Sequence, residues 1–338
     1  KMMHTLLNIQ LLVFFSFICA KLYAGECVYG NCIDGFGVYK NDNQEKYKGE
    51  WKAGRPDGIG EYIDKEGGVY TGQWEKGEMT GSGEYRYANG NIYIGRFLNY
   101  KPHGFGKFTF SNGDYYQGNY HQGVKQGQGL YVRIDGHKYQ GEWVAGKKDG
   151  IGSFYYQNGD KYVGLFKNGA KNGEGIFYWK KGGTYKGSFV DDTFSGRGVR
   201  VYSNGNSYIG EYKNGVRNGQ GEVFFKNGDY FKGNYVNNKR EGHGEFKWFD
   251  GGVYNGQFHL NMFHGMATRI YANGEIYKGN FRNNKRNGLG TYLSNDGKSY
   301  SGEWKNNQKH GEGVCIVNSR RKIQCYWEED VLISHKQL

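Results

Sequence analysis

Along most of the chain, rings and glycines alternate with polar residues, and the alternation itself recurs every 23 residues. The clearest thread is Tyr-x-Gly-x-ring, which starts at Tyr47, Tyr70, Tyr93, Tyr116, Tyr139, Tyr162, Tyr185, Tyr208, Phe231, Tyr254, Tyr277 and Tyr300. Each of the twelve closes on a ring, among them Trp74, Phe97, Trp143 and Trp304, and each has its central glycine, as in Gly72, Gly95, Gly141 and Gly302. A second thread, Gly-x-Gly, keeps the same phase from Gly35 and Gly37, through Gly81 and Gly83, to Gly311 and Gly313, with one lapse at Ala267. A period of two predicts strands whose side chains point alternately to opposite faces. Tyr93, Gly95 and Phe97 then share one face, and Ile94 and Arg96 the other.

Between the two threads lie Asn89-Gly90, Asn112-Gly113, Asn158-Gly159, Asn204-Gly205 and their equivalents. Such dipeptides tolerate positive φ at both positions, which is the turn that joins two strands of matching twist, so each unit reads as a β-hairpin. Segments such as Asn168–Asn172 read as the loops between hairpins. Glycine normally weakens a strand, but here it shares a face with the rings and leaves hollows in which rings can lie. The expected fold class is all-β: an elongated single-layer antiparallel meander of 23-residue β-hairpin repeats. About 25 strands spaced about 4.8 Å apart would make a rod of about 115 Å, with nearest-neighbour stability and capped ends.

The Tyr-x-Gly-x-[Trp/Phe/Tyr] and Gly-x-Gly threads resemble the MORN repeat (membrane occupation and recognition nexus) from about residue 35 to residue 327. The resemblance implies a twisted single-layer sheet with an aromatic-lined groove. It further implies scaffolding, protein association or contact with membrane lipids. The export signal described below, with no kinase or membrane-anchor domain appended, sets the chain apart from those relatives and speaks against a cytosolic lipid ligand.

Composition agrees with a ring-built core. Aromatics are 17% of the 338 residues and the whole hydrophobic class only 37%, too few aliphatic residues for two ordinary globular interiors. Gly occurs 59 times against 2 Pro, with neither the three-residue period of collagen nor the irregularity of a linker. The net charge of +12 admits an anionic partner. The basic residues read as spread through the chain, which favours the plainer role of keeping an exposed sheet soluble.

Lys1 and His4, an apolar run from Leu6 to Ala20, and Ala24 read as a secretory signal peptide over 1–24. The expected divisions are then an N-terminal cap with a degenerate first unit over 25–46, the repeat array over 47–313, and a degenerate C-terminal repeat and cap over 314–338. The expected destination is outside the cytoplasm: periplasmic, cell-surface or secreted. Removing Cys19 with the signal leaves Cys27 and Cys32 at one end and Cys315 and Cys325 at the other, read as two local structural disulfides. Two cysteines at each far end cannot complete one tetrahedral metal site. Moved back ten periods, Cys315 falls on Tyr85 and Cys325 on Gly95, which read as facing each other across a hairpin, and Ile323, Cys325 and Trp327 form a thirteenth, degenerate unit.

No catalytic, cofactor-binding or metal-binding residues emerge. His103, His264 and His310 occupy one repeat phase, filled elsewhere by Asp57, Thr80, Gln126, Asp149 and Glu241, and read as polar loop residues. Gly-x-Gly is followed by strand and turn signals, not by the helix a phosphate loop needs. The site residues are therefore structural: the ring positions Tyr70, Trp74, Tyr93, Phe97, Tyr139, Trp143, Tyr300 and Trp304, and the glycines named above. The expected function is a non-enzymatic exported scaffold that engages a protein partner or itself, without cofactor and without nucleic acid. The alternative is a module binding anionic lipid headgroups or acidic glycans through loop lysines such as Lys147 and Lys148.

Overall fold

The computed structural model describes residues 25–318 and 321–338, so the signal-peptide reading of 1–24 lies outside the described residues. The described residues contain no helix and 28 β-strands, from Gly25–Gly30 to Val331–Gln337. The chain divides into two compact units, one ending at Val124 and one beginning at Lys125. Within each unit every strand pairs antiparallel with the next in sequence. Val69–Glu75 lies against Glu78–Arg86, which lies against Ile92–Leu98. In the second unit Lys138–Val144 lies against Lys147–Tyr155, which lies against Lys161–Lys167. The expected antiparallel meander of hairpin repeats is therefore the observed fold, with strands beyond the expected 25 supplied by both ends.

Two kinds of turn alternate, and their assignment differs from the sequence reading. At Asn89-Gly90 only Gly90 has positive φ, +84°. Gly90 N–H donates to Tyr87 O at 2.9 Å, Tyr87 N–H donates to Asn91 O at 2.9 Å, and the Asn89 side chain accepts Asn91 N–H at 3.1 Å. This is a three-residue hairpin loop, a tight turn followed by one left-handed residue. The two-residue turns with both φ positive are the other connections: Ala53-Gly54 (51° and 68°), Lys76-Gly77 (52° and 88°), Asn168-Gly169 (51° and 98°) and Asn237-Asn238 (48° and 69°). The segment 168–172 is accordingly only a two-residue turn, because the next strand already begins at Ala170.

The same connections correct the reading of the polar phase before Gly-x-Gly. These residues lie within strands, His103 in Lys101–Thr109, His264 in Met262–Ile270 and His310 in Gln308–Asn318. Where the residue is acidic or Gln126, its side chain holds the following two-residue turn. Asp57 accepts Lys76 N–H at 3.2 Å, Asp149 accepts Asn168 N–H at 3.1 Å, and Glu241 accepts Leu260 N–H at 3.0 Å. Where the second turn residue is Asn or Asp, its side chain makes a further bond, to the residue before that phase. Asn238, Asn261 and Asn307 accept the backbone N–H of Arg217, Arg240 and Arg286 at 2.9, 2.8 and 2.7 Å.

The core is one layer thick. Gly72 pairs with Gly83, and a Cβ built on Gly83 would stand 2.5 Å from Cε2 of Tyr70. The missing side chains thus make the space that the tyrosine ring fills, and Tyr70 is 0% exposed. Its hydroxyl donates to Gln73 O at 2.9 Å, a bond that recurs from Tyr47 to Tyr300. Each such ring then meets two others edge-on. Tyr70 lies 5.4 Å from Trp74 and 4.9 Å from Phe97, with interplanar angles of 82° and 79°. Tyr139 repeats this with Trp143 and Phe166 at 5.3 and 5.0 Å. T-shaped packing sets the positive edge of one ring against the negative face of another, so each hairpin is joined to the next by its rings.

Cys27–Cys32 and Cys315–Cys325 are disulfide-bonded, with Cα atoms 6.0 and 6.1 Å apart. The second pair is diagonal and not directly opposed: Cys315 faces Ile323, and Cys325 faces Gly313. The three-residue loop centres the hairpin so that Tyr85 opposes Tyr93, not Gly95. At the other end the Cys32 sulfur covers Gly37, where a ring would lie in a full repeat. Ile323 and Cys325 are buried and Trp327 lies 6.0 Å from Tyr300, which continues the ring row into the degenerate unit.

Candidate functional site

All the sequence-predicted rings Tyr70, Trp74, Tyr93, Phe97, Tyr139, Trp143, Tyr300 and Trp304 are buried, none more than 6% exposed. Gly72, Gly83, Gly95, Gly141 and Gly302 lie beneath tyrosine rings, whereas Gly81 has φ +58° and sits in a bulge opposite the Gln73 side chain. These residues hold the sheet together and leave little ring face for a ligand. What the ring face does offer is a second row, made of cations.

In the unit that begins at Lys125, one position per repeat, two before the first glycine of Gly-x-Gly, is occupied by Lys125, Lys148, Lys171, Arg217, Arg240, Arg286 and Lys309. Each places its charge over rings. Lys148 Nζ lies 4.8 Å from the centre of Phe154, Arg217 lies 4.8 Å from Tyr235, Arg286 lies 4.1 Å from Trp304 and Lys309 lies 4.3 Å from Trp327. Two repeats have phenylalanine there, Phe194 and Phe263. In those two an arginine appears six residues later, where Phe154, Phe177, Phe246 and Tyr292 stand in other repeats: Arg200 stands 3.7 Å from Trp179, and Arg269 stands 4.2 Å from Trp248. Phe194 and Phe263 instead stack on Tyr185 and Tyr254, each at 3.8 Å. Ring and cation have exchanged places, and the cation is kept in every repeat from Lys125 to Lys309.

The unit ending at Val124 has no such row, since Pro56, Met79 and Pro102 fill the position. Charge divides in the same way. Residues 125–338 hold 32 Lys and Arg against 20 Asp and Glu, a net +12, whereas residues 25–124 hold 11 against 13, a net −2. The basic residues are therefore not spread evenly, contrary to the sequence reading. Lys148 is likewise no loop residue: Lys147–Tyr155 is a strand, and Lys148 is half-buried in it. The row was legible as a 23-residue period of cations, but the Phe–Arg exchanges break it in sequence and in space: Arg200 lies opposite Tyr185 and Tyr208 and Arg269 opposite Tyr254 and Tyr277, whereas Arg217 and Arg286 lie opposite Tyr212 and Phe281.

Burial sets the electrostatics. It pushes the Lys125 ammonium down to about 8 and lowers Lys148, Lys309, Arg240 and Arg269 from their ordinary values. Burial also works against Lys171, but the Tyr156 hydroxyl at 2.8 Å and the Asp192 carboxylate at 3.1 Å outweigh it and leave that ammonium raised. Such cation–π contacts contribute about 0.5–1 kcal/mol each where water reaches them and more where it is excluded. Arg217, Arg240 and Arg286 also donate from Nη2 to the carbonyls of Asn238, Asn261 and Asn307, at 3.0, 2.9 and 2.7 Å, and so tie each repeat to the next turn. Among the described residues no group of three or more His, Cys, Asp or Glu could hold a metal ion, and no helix is long and apolar enough to cross a membrane.

A chain of β-hairpins that packs each unit only on its sequence neighbours, and shows one repeated surface, is a repeat scaffold or binding module. The MORN repeat pattern matches twelve consecutive segments, 47–69, 70–92 and onward without a gap to 300–316. The chain belongs to the MORN-repeat family. Comparison with curated proteins returns no match. Among solved structures it is similar to the TCP domain of Drosophila melanogaster SAS-4 in complex with a proline-rich motif of Ana2, at 11% identity and a TM-score of 0.30, over 46% of this chain and 85% of that one. It is also similar to a mutant TCP10 domain of Danio rerio CPAP, at 13% identity and a TM-score of 0.27, over 62% and 99%. Scores this low carry no statement about function.

Proposed function

We propose that this protein is a non-enzymatic scaffold of the exported compartment, which holds a protein partner or a second copy of itself along its repeated face. The observation that carries the reading is the division of labour within each repeat. Rings and glycines are spent on packing the next repeat, and what remains at the surface is one pattern presented again and again. Extended arrays of that kind engage partners over length instead of in a pocket. Chemical crosslinking of the processed protein in its own secreted or envelope fraction, followed by identification of what is joined to it, is expected to return a partner or a defined oligomer. A strictly monomeric protein that retains nothing would end this reading. Export is supported by the two disulfides, which persist in oxidising compartments. Thiol titration of the denatured, unreduced protein is expected to find none of the four cysteines free, and four free thiols would remove this support.

A second reading draws on the net +12 of residues 125–338: a module for anionic lipid headgroups or acidic glycans. Its binding should fall steeply as salt rises from about 0.01 to about 0.15 M, where the screening length shrinks from about 30 to about 8 Å. Association through apolar contacts would survive that change.

A further inference from the structure

The two exchanged repeats carry one constellation twice, three repeats apart. Arg200 stands 3.7 Å from Trp179 and 4.9 Å from Tyr202, and Arg269 stands 4.2 Å from Trp248 and 4.7 Å from Tyr271, so each guanidinium is flanked by a tryptophan and a tyrosine. The Nε of both arginines is buried without a partner. Both copies also share a turn carboxylate, which the turn itself engages. Asp160 accepts Lys180 N–H at 2.9 Å and Asn158 Nδ2 at 2.8 Å, and Asp229 accepts Phe249 N–H at 2.8 Å and Asn227 Nδ2 at 2.9 Å. Two differences between the copies then bear on charge. In the second copy burial weighs against the Arg269 cation, and Tyr271 and Asp250 support it; in the first copy Lys181 stands in the place of Asp250. Phe281 of the second copy is Tyr212 in the first, and the Tyr212 hydroxyl is buried without a partner. Burial raises that hydroxyl above its ordinary value while the Arg200 charge pulls the other way, so the two groups feel each other. Among the described residues the one ion pair between residues 161 and 221 is Lys171–Asp192. Arg200 and Lys181 therefore have no carboxylate in contact.

A half-buried cation without a counter-charge is costly, and a bound anion offsets that cost. The second copy indicates which anion suits the frame, because there the chain supplies an aspartate of its own. A guanidinium held by two rings presents a fixed fork of N–H donors, and a planar carboxylate accepts two of them in parallel. A uronic acid would seek an open ring face beside the cation, whereas Trp179 already has Arg200, Phe177 and Phe194 against it at 3.7, 4.6 and 6.1 Å. We infer that Arg200, flanked by Trp179 and Tyr202 and with Lys181 in the place of Asp250, is a binding site for an aspartate or glutamate side chain of a partner protein. The equivalent frame at Arg269 is closed by the chain's own Asp250. The inference rests on the protein-association reading above and names the chemistry of the contact.

The test follows the arginine Nε–H resonances of the full processed chain by NMR, those of Arg200 and Arg269 being assigned by their loss in Arg200→Gln and Arg269→Gln. The probe is aspartate blocked as its N-acetyl methylamide, and blocked asparagine, glucuronate and inorganic phosphate are the comparisons. Blocked aspartate is expected to move the Arg200 resonance saturably, with half-saturation at about 10 mM, and to leave that of Arg269 in place up to about 100 mM. Lys181→Asp, which gives the first copy the carboxylate of the second, should raise the half-saturation point at least about tenfold. Lys186→Asp makes the same change of charge at an exposed position on the opposite face and should alter it less than about twofold. The inference is overturned if blocked aspartate moves neither resonance or both alike, or if the two lysine variants have equal effects. It is also overturned if blocked asparagine, glucuronate or phosphate binds as tightly as blocked aspartate or more so. A partner captured by crosslinking that Arg200→Gln does not weaken would sink the arginine site and leave the scaffold reading standing. A site that takes blocked aspartate in a protein that captures nothing would do the reverse.

Discussion

A glycine opposite a glycine, with a tyrosine laid over both, is the contact from which this protein is made. At Gly152 an added Cβ would stand 2.6 Å from Cε2 and from the hydroxyl of Tyr139, closer than such atoms approach. Neither strand nor ring can retreat without breaking the ladder, so Gly152→Ala is expected to destabilise the protein by about 1–3 kcal/mol, read as a lower urea midpoint with an unchanged slope. Phe231 indicates that the hydroxyl matters less than the ring, because it fills the tyrosine position and is 0% exposed. Tyr139→Phe, which removes the 2.8 Å bond to Glu142 O, should accordingly cost no more than about 1 kcal/mol. If the alanine variant were as stable as the parent, the hollow would not be what seats the ring. The position and identity of these residues were legible in the sequence, since the period exposes them. Which glycines lie under rings and which, like Gly81 and Gly150, bend a bulge at φ +58° and +77° was not legible, because both kinds stand two residues apart in an unvarying motif.

At the level of the hairpin, the connections decide register. Asn238 is left-handed, with φ +69°, and its Oδ1 accepts the Arg217 N–H while its carbonyl accepts the guanidinium. Asn238→Ala keeps neither the side-chain bond nor the tolerance of that backbone shape, and should cost about 1–2 kcal/mol. Asn238→Gly restores the backbone, as the Gly169 and Gly215 turns already do, and should cost less. Both variants lose the Oδ1 acceptor, so thermal melts that rank them in the opposite order would mean that the left-handed backbone shape is not what favours Asn or Gly at this position. Sequence placed a turn at each Asn-Gly but misjudged which connection had both φ values positive. Asn-Gly suits either turn, and the choice is made by how many residues the neighbouring strands leave unpaired, a property of the ladder.

For the whole molecule, stability is a sum over neighbours, and its ends are its weak points. Closing the loop between Cys315 and Cys325 should contribute about 2–3 kcal/mol. The double variant Cys315→Ser, Cys325→Ser is therefore expected to lose hydrogen-exchange protection in the last strands while the centre keeps its own. Uniform loss along the chain would contradict neighbour-only coupling. Tyrosines buried along the array give a second whole-molecule property. Burial pushes Tyr87, Tyr185, Tyr235 and Tyr300 up to about 12, against about 10 in an unfolded chain. Below pH 10 both states keep the proton and stability is whole. Above it the unfolded chain loses protons that the folded one retains, so stability falls as pH rises from about 10 through about 12. Phenolate absorbance and circular dichroism should change together over that range, and a smooth titration with the strands intact would count against the buried ring row. By itself the sequence determined the repeat length, the hairpin, the ring-and-glycine face and the pairing of cysteines within each end, because these follow from alternation and turn chemistry along a few neighbouring residues. Only the tertiary structure decided the diagonal set of the Cys315–Cys325 bridge, the role of Asp57 and its equivalents, and the exchange of ring and cation at Arg200 and Arg269. Each of these joins residues from adjoining strands, so it depends on register and bulges, which the order of residues along one strand does not record.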